Sequence, residues 1–413
     1  MHAEVHMPWK ECCTVLDRRQ EFVELACVEG RNMALLCRRF GISRKIGYKW
    51  LNRYCCGDTQ NQSVVERLTD RSRRPHHSPT QTSESMQKRI VQLRTKHHWG
   101  GRKLAKRLKD LSVDHVPAPS TISGILSRHG LVDEADRQSR RRPQRFEHES
   151  PNDLWQMDYK GHVAMGNGER CHPLTVLDDH SRYSVVLAAC ADEQAKTVKE
   201  HLTAAFRLYG MPKRMLADNG SPWGTSGWGE LGAWTGLAVW LARLGIAMWH
   251  GRPCHPQTQG KEERFHRTLV AELLRWETFS DLADAQPKLD AWRFTYNHER
   301  PHEALEMKTP ATRYRPSAVT FPETLPPIEY GPDDQVRRVR PDGRIAFFQQ
   351  TVTIGAAFRG EDVALRPTRE DGVWDAYYCA QHIGRIDQRN KGTDGRLRLH
   401  RPLAPLADDA AAR

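Results

Sequence analysis

The sequence predicts a multidomain protein: all-α helix-turn-helix units at the N-terminus, a central mixed α/β layer, and a small C-terminal β-barrel. Three observations predict it. Up to about residue 130, apolar residues recur at helical spacing between Gly and Ser punctuation. From Trp155 the pattern changes to short β-rich runs separated by helical stretches, a mixed α/β order. Beyond the Pro-rich Phe321-Pro-Glu-Thr-Leu-Pro-Pro327, short strands return, with Asp342-Gly343 and Asp371-Gly372 as hairpin-turn signals. A chain of 413 residues is long for one core, so two to four domains are expected.

In the first unit, Phe22, Leu25, Ala26 and Val28 mark a helix that Gly30 ends. Met33–Phe40 is a second helix, Gly41-Ile-Ser43 a tight turn with Gly at the C-cap and Ser at the N-cap, and Arg44–Tyr54 a basic third helix. This is the pattern of a helix-turn-helix, whose second helix enters the DNA major groove; a plain helical hairpin is the alternative. Arg44, Lys45 and Lys49 are expected to face DNA, and Ile46 and Trp50, at i and i+4, the core. The charge distribution agrees. Residues 1–150 hold 29 Lys and Arg against 17 Asp and Glu, so the whole net charge of +12 falls in this third of the chain. Such asymmetry points to a polyanion-binding region, a basic solvated surface being the alternative.

After a polar, basic stretch over 68–79, helices are expected at Glu84–His97, Gly101–Asp110 and Ser120–His129. They form a second helix-turn-helix or winged unit, with Ser120 and Thr121 opening its recognition helix. The run Arg137 to Arg145 holds five arginines, among them Arg140, Arg141 and Arg142, and reads as a basic tether along phosphates.

In the central region, strands are expected at Leu154–Tyr159, Leu174–Leu177, Tyr183–Ala189 and Arg214–Ala217, with an amphipathic helix over 193–209. Three acids stand in distinctive settings. Asp158 lies in an otherwise aromatic and apolar strand, where an unpaired charge is costly. Asp218 ends a strand just before a Gly turn, and Glu263 lies on the first turn of a helix entered from a polar loop. Carboxylates at two strand ends and a helix start can converge, and such hard oxygen ligands suit magnesium or manganese. Two ions roughly 4 Å apart activate the attacking oxygen and stabilise the leaving one in phosphoryl transfer. Spacing alone is weak evidence, because a chain with 51 acidic residues offers many triples.

The local words are more specific. Trp155-Gln-Met-Asp158, Leu177-Asp-Asp-His-Ser-Arg182, Asp218-Asn-Gly220, His255-Pro-Gln-Thr-Gln-Gly-Lys-Glu-Glu-Arg-Phe-His-Arg-Thr-Leu269 and Tyr296-Asn-His-Glu-Arg-Pro-His302 occur in order. Over residues 15–320 the chain resembles the integrase-type DDE transposases of bacterial insertion sequences, whose RNase H-like core is shared with retroviral integrases. The resemblance implies Asp158, Asp218 and Glu263 as catalytic residues and metal ligands, probing Mg2+ or Mn2+, with two ions expected. It selects Glu263 over Glu262 by its place three residues after Gly260. Asp218 and Glu263 stand further apart than is commonest in the family, and the excess over Trp223–Leu244 reads as an enlarged loop or extra helix. The resemblance also implies that Lys261 meets DNA phosphate; Arg264 and Arg267 lie beside it, with ordinary ion pairing as their alternative. His255 and His266 read as phosphate donors or loop-ordering residues. Asp178 and Asp179 read as structural, through Ser181, Arg182 and the turn, and Trp155, Trp292 and Tyr296 as core.

The resulting map is a helix-turn-helix DNA-binding domain at 1–60, a second one at 80–132, a basic linker at 133–150, an RNase H-like integrase core at 151–320 and the β-barrel at 333–400. The implied activity is that of a polynucleotidyl transferase with endonuclease activity. It binds element ends, exposes 3′-OH groups and joins them to target DNA as a homodimer or higher synaptic oligomer. A catalytically idle, domesticated DNA-binding regulator is the alternative. Ten scattered cysteines without CxxC give no zinc module. No run of 18 apolar residues occurs, and the first ten residues lack a signal pattern. A cytoplasmic, nucleoid-associated bacterial protein is expected.

Overall fold

The computed structural model describes residues 14–55, 63–70, 81–132, 147–224, 234–250, 260–391 and 397–400. The chain divides into two compact units, 1–81 and 82–413.

The first unit holds α1 (Val15–Ala26), α2 (Met33–Arg39), α3 (Arg44–Cys55) and α4 (Val64–Leu68). Thr14 and Asp17 form a capping box at the start of α1, and Asn32 caps α2. Gly41, at φ +65°, makes the turn into α3. Phe22, Val23, Ala26, Met33, Cys37, Trp50, Leu51 and Leu68 form the core. The expectation for Ile46 is corrected: it is 42% exposed, and Gly47 is buried instead. A Cβ on Gly47 would lie 2.6 Å from Cys37 Sγ and 2.9 Å from the Phe22 ring. The helices approach too closely there for any side chain, so the inward face of α3 runs through Gly47 and Trp50.

The second unit begins with α5 (Glu84–His97), α6 (Gly101–Asp110) and α7 (Pro119–Arg128), packed around Ile90, Trp99, Leu104, Leu108, Ile122 and Ile125. Residues 82–132 contain no strand, so the winged form is not seen among the described residues.

The central sheet comprises β1 (Trp155–Tyr159), β2 (Val163–Ala164), β3 (Arg170–Asp178) and β4 (Ser184–Cys190). After α8 (Ala195–Tyr209) come β5 (Arg214–Ala217), α9 (Gly236–Arg243) and β6 (Ala247–His250). Strand β3 is antiparallel to β1, β2 and β4, whereas β1, β5 and β6 run parallel. The sheet is covered on both faces. Trp155, Met157, Leu174 and Val176 point to α8 and α9. On the other face α10 (Gly260–Leu269) and α11 (Leu282–His298) bury Phe265, Leu289, Trp292 and Tyr296 against Leu177 and Leu187. Period-two alternation therefore turns Asp158 toward the α10 side.

A π-helical turn, Val270–Leu274, extends α10 and carries Glu272. Its carboxylate receives Arg300 at 2.9 Å, the Trp99 indole N–H at 3.2 Å and Lys103 at 3.5 Å, joining the α5–α7 layer to the core.

The C-terminal part holds β7 (Gln335–Arg338), β8 (Arg344–Phe347), β9 (Gln350–Thr353), β10 (Asp362–Pro367), β11 (Val373–Tyr378), β12 (Gln381–Lys391) and β13 (Leu397–His400). Their order is β7-β10-β11-β12-β13-β9-β8, an open path with edges at β7 and β8. The C-terminal strands thus form one seven-stranded sheet, and no ladder that closes it into the expected barrel is found among the described residues. Helix α9 is shared: Leu237, Trp240 and Leu241 pack into the central core, and Val239 and Ala242 into the C-terminal one. Within Trp223–Leu244, read as an enlarged loop or extra helix, α9 supplies this docking platform.

Candidate active site

Strands β1 and β5 carry the first two carboxylates. Trp155 stands opposite Met215 and Gln156 opposite Leu216, so the continuing parallel register brings Asp158 level with Asp218. Burial, and next the Asp218 charge, push the Asp158 carboxyl up to about 7. Asp218 lies exposed beyond the end of β5, and its Oδ1 accepts from Gly220 N–H at 3.0 Å. Two carboxylates that repel one another at a strand-end position suit a hard divalent cation.

Helix α10 divides its two glutamates between opposite environments. Glu262 is fully buried, and burial followed by the Asp158 charge raises its carboxyl well above the usual range. Its Oε2 lies 3.1 Å from Thr175 Oγ1, and its Oε1 has no hydrogen-bond partner. Glu263 faces outward, and its Oε1 lies 3.8 Å from Arg267 Nε, the i+4 pairing expected of one helix face. The structure therefore puts both Asp218 and Glu262 within electrostatic reach of Asp158, and leaves Glu263 on the open face of α10. Among the described residues, no group of three His, Cys, Asp or Glu side chains is already arranged to hold a metal ion.

Thr175, directly across the ladder from Asp158, connects these elements. Its hydroxyl donates to the Asp158 carbonyl at 2.9 Å and lies 2.9 Å from His266 Nε2. The His266 Nδ1 is 3.8 Å from Asp158 Oδ2. Burial lowers the His266 imidazole to about 4, so it is neutral at physiological pH. Sequence reasoning assigned His266 to phosphate or to the loop and gave Thr175 no role. The i,i+4 spacing of Glu262 and His266 was the available signal.

The Asp178-Asp179 pair is structural. Asp178 accepts from the Ser181 N–H at 2.7 Å and the Asn152 N–H at 2.7 Å. Asp179 accepts from Gln156 at 2.7 Å and the His148 N–H at 2.9 Å, and also pairs with Lys261. That ion pair occupies the ammonium expected on DNA phosphate. Burial nonetheless lowers Lys261 to about 8. Trp155, Trp292 and Tyr296 are core, as expected.

Of the residues expected on DNA, Arg44, Lys45, Lys49, Ser120, Thr121, Arg264 and Arg267 are exposed. Lys49 lies over the Trp50 ring at 4.5 Å. Arg140, Arg141, Arg142 and His255 lie outside the described residues. No helix among the described residues is long and apolar enough to cross a membrane.

Comparison with known proteins gives a consistent picture. Two models described as integrase core domain match residues 148–256 and 244–310, and the C-terminal domain of the IS481 family transposases matches 334–394. A homeodomain-like domain matches 46–126, from α3 to α7. A 31.7 kDa protein of insertion element IS407 from Burkholderia multivorans is 30% identical over 172 residues, covering 41% of this chain and 58% of that protein. A 39.2 kDa protein of insertion element IS476 from Xanthomonas euvesicatoria is 28% identical over 239 residues, covering 56% of this chain and 65% of that protein. The chain thus spans less than two thirds of either relative. Among solved structures, a simian T-cell lymphotropic virus intasome chain aligns at 19% identity and TM-score 0.35, over 71% of this chain and 97% of that one.

Proposed function

We propose that this chain, a member of the integrase-type transposases of insertion elements, cuts at the ends of its element and joins the resulting 3′-OH groups to target DNA. The carrying observation is the pair Asp158 and Asp218, brought level by the parallel register of β1 and β5 in the stretch that matches the integrase core domain, with Asp158 raised by burial and next by the Asp218 charge.

The donor set fits divalent cations: hard carboxylate oxygens, a like-charged pair and the orphaned Glu262 Oε1 beside it. Asp158, Asp218 and Glu263 would hold Mg2+ or Mn2+, two ions in all. When bound, they supply Lewis acidity and neutralise charge at the phosphorus under attack. In the first step water adds to a phosphodiester and the P–O3′ bond breaks, leaving a 3′-OH and a 5′-phosphate. In the second that 3′-OH attacks a target phosphodiester, forming one P–O bond as another breaks. Asp158 and Asp218, fixed by β1 and β5, set where the reacting phosphate sits. Arg264 and Arg267, exposed on α10, are placed to meet DNA phosphates. Arg44, Lys45 and Lys49 of α3, with Ser120 and Thr121 of α7, would read the element ends. Two ends joined together imply a dimer or higher assembly.

Glu262 offers a second reading as the third ligand, favoured by its electrostatic coupling to Asp158. Glu263 is preferred because it faces solvent, where DNA and ions arrive, whereas Glu262 lies buried beneath β3.

The test is strand transfer with pre-cut element ends and magnesium. Asp158→Asn and Glu263→Gln are expected to abolish joining, and Glu262→Gln to preserve it. Joining by both of the first two at the wild-type rate overturns the proposal and favours the idle regulator. Loss in Glu262→Gln together with retention in Glu263→Gln transfers the ligand role to Glu262.

A further inference from the structure

His266 follows Glu262 by four residues, so its side chain returns to the inner face of α10, against β1 and β3. Its ring is approached at both nitrogens. Nε2 lies 2.9 Å from the Thr175 hydroxyl, and Nδ1 faces Asp158 Oδ2 at 3.8 Å. The Thr175 hydroxyl also lies 2.9 Å from the Asp158 carbonyl. A loop of contacts therefore runs from the Asp158 backbone through Thr175 and His266 back to the Asp158 carboxylate. Glu262 closes the floor beneath it, with Oε2 3.8 Å from Nε2.

We propose that His266 is a positioning residue for Asp158: Thr175 fixes the imidazole, and the imidazole fixes the rotation of the carboxylate that takes the cation. This rests on the reading of Asp158 as a metal ligand. A neutral imidazole has one N–H and one lone pair. The tautomer that suits the carboxylate carries its proton on Nδ1 and takes the one Thr175 hydroxyl proton at Nε2, in place of that hydroxyl's bond to the Asp158 carbonyl. The opposite tautomer would set a lone pair against a carboxylate oxygen. The 3.8 Å separation is longer than a hydrogen bond, and such contacts commonly tighten when a site is loaded. Partners that orient a ligand typically matter about 10–100-fold in metal affinity. A histidine that merely fills the space above Glu262 would show no preference for which nitrogen is kept.

Two substitutions separate these roles. His266→Asn keeps a nitrogen near the Nδ1 position, facing Asp158. His266→Gln keeps one near Nε2, facing Thr175. The experiment measures Mn2+ binding to the full-length, DNA-free protein by the paramagnetic resonance of free Mn2+, with thermal unfolding recorded alongside. His266→Gln is expected to weaken binding by about tenfold or more, and His266→Asn to stay within about threefold of wild type. Thr175→Val is expected to weaken binding as His266→Gln does, and Thr175→Ser to restore it. If His266→Gln does not fold, the two Thr175 variants carry the same comparison.

Equal Mn2+ affinity in both His266 variants, or weaker binding in Asn than in Gln, overturns the inference. Asp158→Asn is the control for the underlying reading. If it leaves Mn2+ affinity unchanged, Asp158 is not a ligand and both ideas fall. If it weakens binding while the His266 and Thr175 series is flat, the positioning role alone is lost.

Discussion

Glu272 accepts from Arg300 Nε through both carboxylate oxygens, at 2.9 and 3.0 Å, on the π-helical turn that follows α10. Both side chains are under a tenth exposed. The same carboxylate receives Trp99 and Lys103 from the α5–α7 layer, so one anion compensates two cations at an internal junction. Lys103 is lowered to about 8, first by burial and then by the Arg300 charge, so it has little to spare in partners.

Removing that anion leaves buried cations uncompensated, which typically costs about 3–5 kcal/mol. Glu272→Ala is therefore expected to lower the thermal midpoint of the second unit and to expose the α5–α7 layer to proteolysis. Arg300→Met with Glu272→Met, an apolar replacement of the pair, is expected to recover part of the loss. Limited proteolysis with mass spectrometry checks this; an unchanged digestion pattern in Glu272→Ala would show that the junction does not depend on the anion.

Asp158 gives the pH prediction. Its folded value near 7 lies above the ordinary carboxylate range, so the unfolded chain releases this proton first. Stability of the metal-free protein from this group is consequently full in acid and falls as pH rises from about 4 toward 7. Cation binding requires the ionised form, so the signs reverse for affinity. Apparent Mn2+ affinity is expected to rise by up to about tenfold per pH unit below 7 and to level off above it. Calorimetry in buffers of different ionisation enthalpy should detect release of about one proton per site at pH 6, and almost none from this group at pH 8.5. A flat proton count across that range would remove Asp158 from the binding event.

Gly47 supplies a test confined to the first unit. Gly47→Ala sets a methyl 2.6 Å from Cys37 Sγ and 2.9 Å from the Phe22 ring, where something must shift. Overpacking of this kind costs about 1–3 kcal/mol, more than alanine's better helix propensity returns. The midpoint of the first unit is expected to fall, with binding to element-end DNA weakening only above that lowered midpoint; Ile46→Ala, at an exposed position, is expected to change neither. Circular dichroism melting of the full chain reads the first effect and gel shift at two temperatures the second.

The same position shows what the sequence could and could not convey. The turn into α3 was legible because capping is local: Gly41 at positive φ and Ser43, whose hydroxyl oxygen accepts from the Ile46 N–H, act within one turn. The inward face of α3 was not, because a glycine carries no hydrophobic signal and only the packing partners Phe22 and Cys37 select it. Strand β3 begins at Arg170, earlier than alternation indicated, since Pro173 interrupts a run that pairs on both sides. Strand β13 was missed; its parallel partner β9 lies far back in the chain, and that pairing leaves no local signal. At the site, motif words placed Asp158 and Asp218, and register explains why they are level. The environment of Glu262 was invisible, because burial of one of two adjacent glutamates depends on Thr175, 87 residues away.

Arg243 tests the platform role of α9. Its guanidinium donates to Glu361 at 3.0 Å and to the Pro326 carbonyl at 3.0 and 3.2 Å, while Tyr378 donates to the same Glu361 carboxylate at 2.9 Å. Gln381 adds a bond to the Ile246 carbonyl at 2.9 Å, and Trp234 packs on Phe358 at 5.2 Å. These contacts tie the C-terminal sheet to a helix whose other face lies in the central core. Hydrogen bonds to a charged group contribute about 1.5–3 kcal/mol each, and those of Arg243 are partly exposed, so the lower end applies. Arg243→Ala is expected to loosen the sheet, seen as faster hydrogen exchange in β10 and β11 with little change in β1 or β3. Glu361→Gln should have a smaller effect, because the amide oxygen can still accept from Tyr378 and Arg243. If exchange accelerates equally in β1, then α9 is an integral part of the central core rather than a joint between two cores.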